Sequence, residues 1–442
     1  MTTDSTINRS QLFWIGVLGL FTAAMNASLR AALSTDIKVT MLDPIDLANS
    51  GSMIGETLGA AFLGFAFTLF GVSPFLDNIG MGRLLRIASL CFIGGTLVTL
   101  FADNLASGEG IYWWLYTGMF LIGVGWGAVE ATINPMTATL YPDEKTHRLN
   151  VLHAWWPAGM IVGGLVGVAL GAMNLPWQFI FSLVLIPAIA FGVMTTRATF
   201  PLTERAQAGI SVTEMLKEVF RKPGFFIWFG AMFLTAASEL APGQWVDLAL
   251  TQKVGMRGIL LLIYISALMF VMRHFAGPLA HKLSNSGLLW CSSLLAAIGL
   301  YFLAQADSPS SAFLAATFWG AGVCFMWPTM LATVSERYPE GGSWLVGLLG
   351  SAGALSMYFV LPRLGAIYDE AKLELAGGAD KLAALSNEAL QQIEGQATAQ
   401  SFESVALIPV VLLFVFGAIW IHDRSLAKQN QHRSDAQTET NP

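Results

Sequence analysis

Apolar runs of about 20 residues recur along this chain with only short polar breaks, and a run of that length crosses a bilayer as one helix. In hydrocarbon each backbone N–H and C=O must be satisfied within its own segment, so such runs fold as α-helices. Twelve meet the criterion, at 11–33, 51–75, 85–103, 111–140, 147–173, 176–196, 224–250, 257–280, 286–306, 311–336, 343–368 and 402–422. Composition agrees, with 55% hydrophobic and 12% charged residues in 442 and a mean hydropathy of +0.60, which excludes a soluble or nucleic-acid-binding chain. The expected fold class is an all-α membrane protein of twelve transmembrane helices. No cleavable signal peptide is expected, because the first run is long and lacks a cleavage site.

Basic residues set the expected orientation. With both termini inside, 15 of the 23 Lys and Arg residues fall on inner segments and five on outer ones. That bias predicts an integral protein of a bacterial inner (plasma) membrane with cytoplasmic termini. Cys91, Cys291 and Cys324 all fall within runs and show neither metal-ligand spacing nor a disulfide pattern. No metal and no cofactor is expected.

The segment from Thr196 to Gly224 is polar, holds Arg197, Glu204, Arg205, Lys217, Arg221 and Lys222, and divides the runs into two sets of six. The expected domains are an N-terminal bundle over 1–196, a cytoplasmic linker over 197–223, a C-terminal bundle over 224–422 and a tail over 423–442. The halves repeat one another. Asn134-Pro135 with Tyr141-Pro142-Asp143 matches Trp327-Pro328 with Tyr338-Pro339-Glu340, and Ser73-Pro74 with Gly80 matches Gly277-Pro278 with Ser284. Two parallel six-helix halves with a site between them is an alternating-access plan.

Several polar residues interrupt the runs, and acids at bilayer depth usually face a pathway or a partner. Trp126, Glu130 and Asn134 stand four apart and share a helix face. Asn150 and His153 share a face on the next run, followed by Trp155 and Trp156. Asn134 precedes a proline and is equally suited to a kink, and Asn150 to a helix end. Glu56 lies in the second run, free to act as a second acid or to pair with Arg30 of the first. Glu239 precedes Pro242 and Gly243, which are expected to break the seventh helix beside Gln244 and Trp245. Arg273 is a partner for a carboxylate or snorkels to the inner interface. The Gly123, Gly125, Gly127 pattern follows no strand, so it reads as helix packing rather than a nucleotide loop. The acidic segment Asp369 to Gln400 reads as a solvated linker, with a short outer helix over the cavity as the alternative.

With these residues in view, the chain resembles the major facilitator superfamily over nearly its whole length. Ser73 to Arg86, with Asp77, Gly80, Gly82, Arg83 and Arg86, is similar to that superfamily's loop between its second and third helices, with Ser73 and Asn78 departing from the pattern. Glu130-x-x-x-Asn134-Pro135 followed by Arg148-Leu149-Asn150-x-x-His153 and Gly159 resembles the fucose–galactose–glucose:proton symporter branch. That branch has glutamine where this chain has His153, and an aspartate where it reads Met25-Asn26-Ala27.

The resemblance implies two pseudo-symmetric six-helix bundles and alternating access, with no enzymatic activity. It also implies proton-coupled symport of a small polar solute, a monosaccharide first. The expected substrate-binding set is Glu130, Asn134, Asn150, His153, Trp126, Glu239, Gln244 and Trp245. Glu130 and Glu56 are the expected proton-coupling acids, and Asp77, Arg83, Arg86 and Arg30 the gating residues. Sodium coupling and export of amphipathic compounds on the same fold are the alternatives. The expected partners are a sugar-like molecule, a proton or sodium and the lipid bilayer, with no nucleic acid and the chain acting as a monomer.

Overall fold

The computed structural model describes residues 7–141, 148, 151–207, 209, 211–273, 276–338 and 342–440, and among these there is no strand. Among the described residues ten helices are long and apolar enough to cross a membrane. An eleventh, Ile259–Arg273, is apolar but shorter, and a twelfth, Glu109–Leu140, is diluted by glycine, tyrosine, tryptophan and Glu130. We label the twelve α1 (Arg9–Ala32), α2 (Ser50–Val72), α3 (Met81–Leu100), α4 (Glu109–Leu140), α5 (Val151–Ala172) and α6 (Trp177–Thr196). They continue as α7 (Phe225–Val254), α8 (Ile259–Arg273), α9 (Ala276–Gln305), α10 (Pro309–Val323 with Met326–Arg337), α11 (Gly342–Ala376) and α12 (Asn387–Thr440).

Helix packing repeats with an offset of six. The pairs α1–α5, α1–α6, α2–α4, α3–α4 and α3–α6 recur as α7–α11, α7–α12, α8–α10, α9–α10 and α9–α12. The chief contacts between halves, α2–α11 and α5–α8, exchange under the same operation. This is the arrangement of two pseudo-symmetric six-helix bundles. Helix α1, capped by the Asn8 side chain on the Gln11 amide, is buried on nearly every side. Lipid-facing positions instead expose large apolar side chains, among them Leu90, Ile186 and Phe414. Such an apolar exterior fits hydrocarbon as its solvent.

Glycine sets how closely the helices approach. A Cβ on Gly123 would lie 1.8 Å from the Ala61 carbonyl oxygen, and one on Gly127 would lie 2.7 Å from that of Phe65. The Gly123, Gly125, Gly127 pattern is therefore a packing face, as expected. Between the halves, a Cβ on Gly55 would meet the Leu361 carbonyl oxygen at 2.5 Å, and one on Gly365 that of Gly51 at 2.3 Å. Both contacts lie toward the face opposite the chain termini, called here the far face.

Two sequence expectations are corrected. Helix α7 is not broken at Pro242 but runs through it. Proline cannot donate to the carbonyl four residues back, and that carbonyl, Ser238 O, accepts instead from Trp319 Nε1 at 3.1 Å. The segment 369–400 is not a solvated linker: it completes α11, forms a short helix Ala379–Ala383 and begins α12. Its acids have buried partners. Asp369 accepts from the Ser52 amide at 2.7 Å and from Lys372 Nζ at 3.0 Å, and Lys38 pairs with Asp43 at 3.1 Å and Glu394 at 3.6 Å. Between α6 and α7 lies a short amphipathic helix, Val212–Arg221, closed at its start by a Ser211/Glu214 capping box. It buries Met215 and Val219 against the terminal ends of α7 and α11.

Candidate functional site

Three of the expected residues form one hydrogen-bonded chain. Asn134 lies one turn after Glu130 on α4, and its Nδ2 donates to Glu130 Oε2 at 3.0 Å. That leaves Asn134 Oδ1 facing α5, where it lies 2.8 Å from His153 Nε2. An amide oxygen only accepts, so His153 donates through Nε2 and a neutral ring keeps Nδ1 as an acceptor. Asn150 lies outside the described residues.

The other half contributes an ion pair. Arg273, at the end of α8, lies 3.6 Å from Glu239 Oε1 on α7 and donates Nε to the Cys324 carbonyl at 3.2 Å. Glu239 Oε2 accepts the Trp327 amide at 3.2 Å. Trp327 stands in the first turn of the second segment of α10, whose own N-cap, Phe325, provides no side-chain bond. The carboxylate thus caps that segment from a neighbouring helix, where the helix dipole also favours negative charge. His153 lies near enough to both clusters for the charges of Glu130 and Arg273 to act on it. The Glu130–Asn134–His153 chain and the Arg273–Glu239 pair, one in each bundle, together make a polar line with a break between His153 and Arg273.

At the Glu239 end of this line lies a small cavity lined from both bundles by residues including Trp126, Trp156, Phe62, Glu239, Leu262 and Trp319; Glu130, Asn134 and His153 are not in its wall. Trp126 stacks on Trp156 with centroids 5.0 Å apart and planes at 20°, which presents a broad aromatic wall. The side chains of Gln244 and Trp245 lie outside the described residues.

The chain's membership follows from its sequence profile. Residues 12–363 match that of the Major Facilitator Superfamily. The chain belongs to the Major Facilitator Superfamily. It is accordingly an integral membrane transporter and not an enzyme. No curated protein matches it. Solved members of similar structure include a D-xylose–proton symporter, with TM-score 0.73 and 15% identity over 92% of this chain and 97% of that one. The xylose transporter XylE from E. coli, partially occluded and inward open, gives 0.70 and 13% over 92% and 98%. A bacterial homologue of the human lysosomal transporter Spinster gives 0.69 and 15% over 95% and 97%. At such identities the likeness shows the superfamily fold alone.

The remaining expected residues are dispersed. Glu56 does not pair with Arg30; it accepts a hydrogen bond from Tyr112 of α4. Arg30 lies over the Phe62 ring, 5.8 Å from its centroid. Near the terminal face, Asp77 accepts from the Thr203 amide at 2.9 Å and its hydroxyl at 2.6 Å, which ties the loop before α3 to the segment entering the linker. Arg83 and Arg86 are exposed. Sequence reasoning missed Trp319, Phe62 and Met160 as cavity walls, since apolar residues in apolar runs carry no local mark. Trp156, from sequence either a face for a sugar ring together with Trp155 or simple packing, lines the cavity.

Proposed function

We propose that this transporter is a symporter that moves a small hydroxyl-rich solute, a monosaccharide first, across a bacterial inner membrane together with a proton. The observation that carries this reading is the interrupted polar line, Glu130–Asn134–His153 in one bundle and Arg273–Glu239 in the other, which meets their shared cavity at Glu239. Acid, amide and imidazole together donate and accept, as a polyol requires, and the Trp126–Trp156 wall suits the apolar face of a sugar ring. A xylose–proton symporter of similar fold supports the solute class.

In this reading residues 1–196 and 224–422 rock as two bodies, joined by the linker 197–223, with the terminal face and the tail 423–442 in the cytoplasm. A proton taken up at Glu130 or Glu56 accompanies solute binding between the bundles. Glu130, Asn134, His153 and Glu239 hydrogen-bond the hydroxyls, with Asn150, Gln244 and Trp245 completing the set. Asp77, Arg83 and Arg86 change their contacts as the terminal face opens, and release of solute and proton resets the carrier. Counterflow of labelled hexoses in proteoliposomes, then uptake under an imposed pH gradient without sodium, tests the reading. Wild-type protein is expected to accumulate sugar only with the gradient, and Glu130→Gln to lose that accumulation. Full uphill uptake by the variant removes the role given to Glu130, and uphill uptake requiring sodium replaces the proton. The mainly apolar cavity lining favours one second reading, export of amphipathic compounds, which saturable hexose exchange excludes.

A further inference from the structure

The most unusual chemistry outside the polar line lies on α1. Asn26 and Arg30 are one turn apart, 0% and 1% exposed, and share a helix face. Both polar atoms of the Asn26 amide, and Nε and Nη1 of Arg30, are buried with no hydrogen-bond partner. A buried guanidinium normally finds a carboxylate, because an uncompensated charge in a low-dielectric interior is strongly unfavourable. Among the described residues no carboxylate comes within 4 Å of Arg30, and the nearest acid by sequence pattern, Glu56, is bonded to Tyr112.

The pair adjoins the cavity. Ala27, between Asn26 and Arg30 in sequence, lines it, and so does Phe62, whose ring lies beneath Arg30. Phe62 packs edge-on against Trp126, centroids 5.4 Å apart, and Trp126 Nε1 is a third buried donor without a partner. The Phe62 ring thus lies against the guanidinium on one hand and lines the cavity on the other.

We infer that Asn26 and Arg30 form an anion subsite of the central cavity, built for a hydroxy acid and, within the cavity's own solute class, for an acidic sugar. The unpartnered atoms specify the ligand. Arg30 and Asn26 Nδ2 only donate, which calls for a carboxylate, whereas Asn26 Oδ1 only accepts, which calls for a hydroxyl beside it. Trp126 Nε1 donates to a ring oxygen or a further hydroxyl. This inference rests on the central cavity being the solute site and narrows a monosaccharide of any charge to one bearing a carboxylate.

Isothermal titration of the purified full-length transporter with D-glucuronate, D-glucose, lactate and propionate tests it. Glucuronate is expected to bind about tenfold to a hundredfold more tightly than glucose, the range of a charge-assisted hydrogen bond. Arg30→Gln brings that ratio close to one, and Arg30→Lys falls between, because an ammonium keeps the charge without the planar fork. Asn26→Ala removes a preference for lactate over propionate. Should Arg30→Gln not fold, the wild-type ratios and Asn26→Ala carry the test. Glucose binding as tightly as glucuronate overturns the subsite and leaves the sugar reading standing. Lactate binding without any sugar keeps the subsite and overturns the sugar reading, and binding of none of the four overturns both.

Discussion

Alanine at Gly55 or Gly365 is expected to open the far face of the transporter without unfolding it. The new methyl carbon would lie 2.5 Å from the Leu361 carbonyl oxygen in the first case and 2.3 Å from that of Gly51 in the second. Both obstacles are backbone atoms, so relief requires α2 and α11 to separate by roughly 1 Å to reach an ordinary C···O contact. Overpacking of this kind costs about 1–3 kcal/mol. Because α2 and α11 belong to different bundles, the cost falls only on states in which they touch here. At about 1.4 kcal/mol per factor of ten, the closed far face loses roughly 5- to 150-fold in population. Gly123→Ala is the control: its methyl would lie 1.8 Å from the Ala61 oxygen, but α2 and α4 pack within one bundle and would stay together in the proposed rocking motion. Spin labels at the exposed positions Asp103 and Glu374, with the three native cysteines replaced, report the opening by pulsed dipolar spectroscopy. The two inter-bundle variants should lengthen the distance with little change in melting temperature, and Gly123→Ala should do the reverse. An unchanged distance with a lowered melting temperature in Gly55→Ala and Gly365→Ala would refute the reasoning and make α2–α11 a permanent seam.

Glu239→Ala strands Arg273 and uncaps the second segment of α10, so a loss of about 3–5 kcal/mol is expected, read as a lowered melting temperature. Glu239→Gln keeps an acceptor for the Trp327 amide and should lose less. In the linker, Ser211 holds the Glu214 carboxyl below its usual range through its side chain and backbone. A depressed folded-state pKa stabilises the helix above the ordinary glutamate pKa of about 4.3 and ceases to as pH falls through the depressed value. Ser211→Ala at neutral pH, and acidification of the wild type, should each speed proteolysis at Lys217 and Arg221. Unaltered cleavage in both would show that the capping box does not hold the linker.

The internal repeat was the most legible part of this fold. Tyr141 and Tyr338, paired by sequence alone, terminate α4 and α10 with φ/ψ of −131/65 and −132/59. Each sets its ring edge-on at 6.0 Å from a phenylalanine at the start of a bundle, Phe13 or Phe225. Gly80 and Ser284, the other matched pair, both take positive φ, at 89° and 63°. Local chemistry writes such features into the chain, and a proline or a Tyr-Pro pair is visible without its neighbours. The Glu130–Asn134 contact was legible for the same reason, since both lie on one helix. What could not be read depends on a second helix. Nothing near Pro242 announces that Trp319 will satisfy Ser238, and nothing near Glu56 that Tyr112 will arrive before Arg30. The helical order of 369–400 likewise comes from burial of Asp369 and Lys372 against α2 and the loop before it, not from the segment's own acidic composition.

The stacked tryptophans and their apolar neighbours have a kinetic consequence. A hydroxylated solute entering that chamber gives up hydration on all sides but recovers hydrogen bonds only where the wall is polar. Its residence is therefore governed by shape on most of its surface and by directional bonds at a few points. Capture on such terms is shallow, because few directional bonds offset the hydration given up. For a carrier shallow capture is an advantage: a solute held more deeply would saturate the protein at low concentration and leave it slowly on the other side.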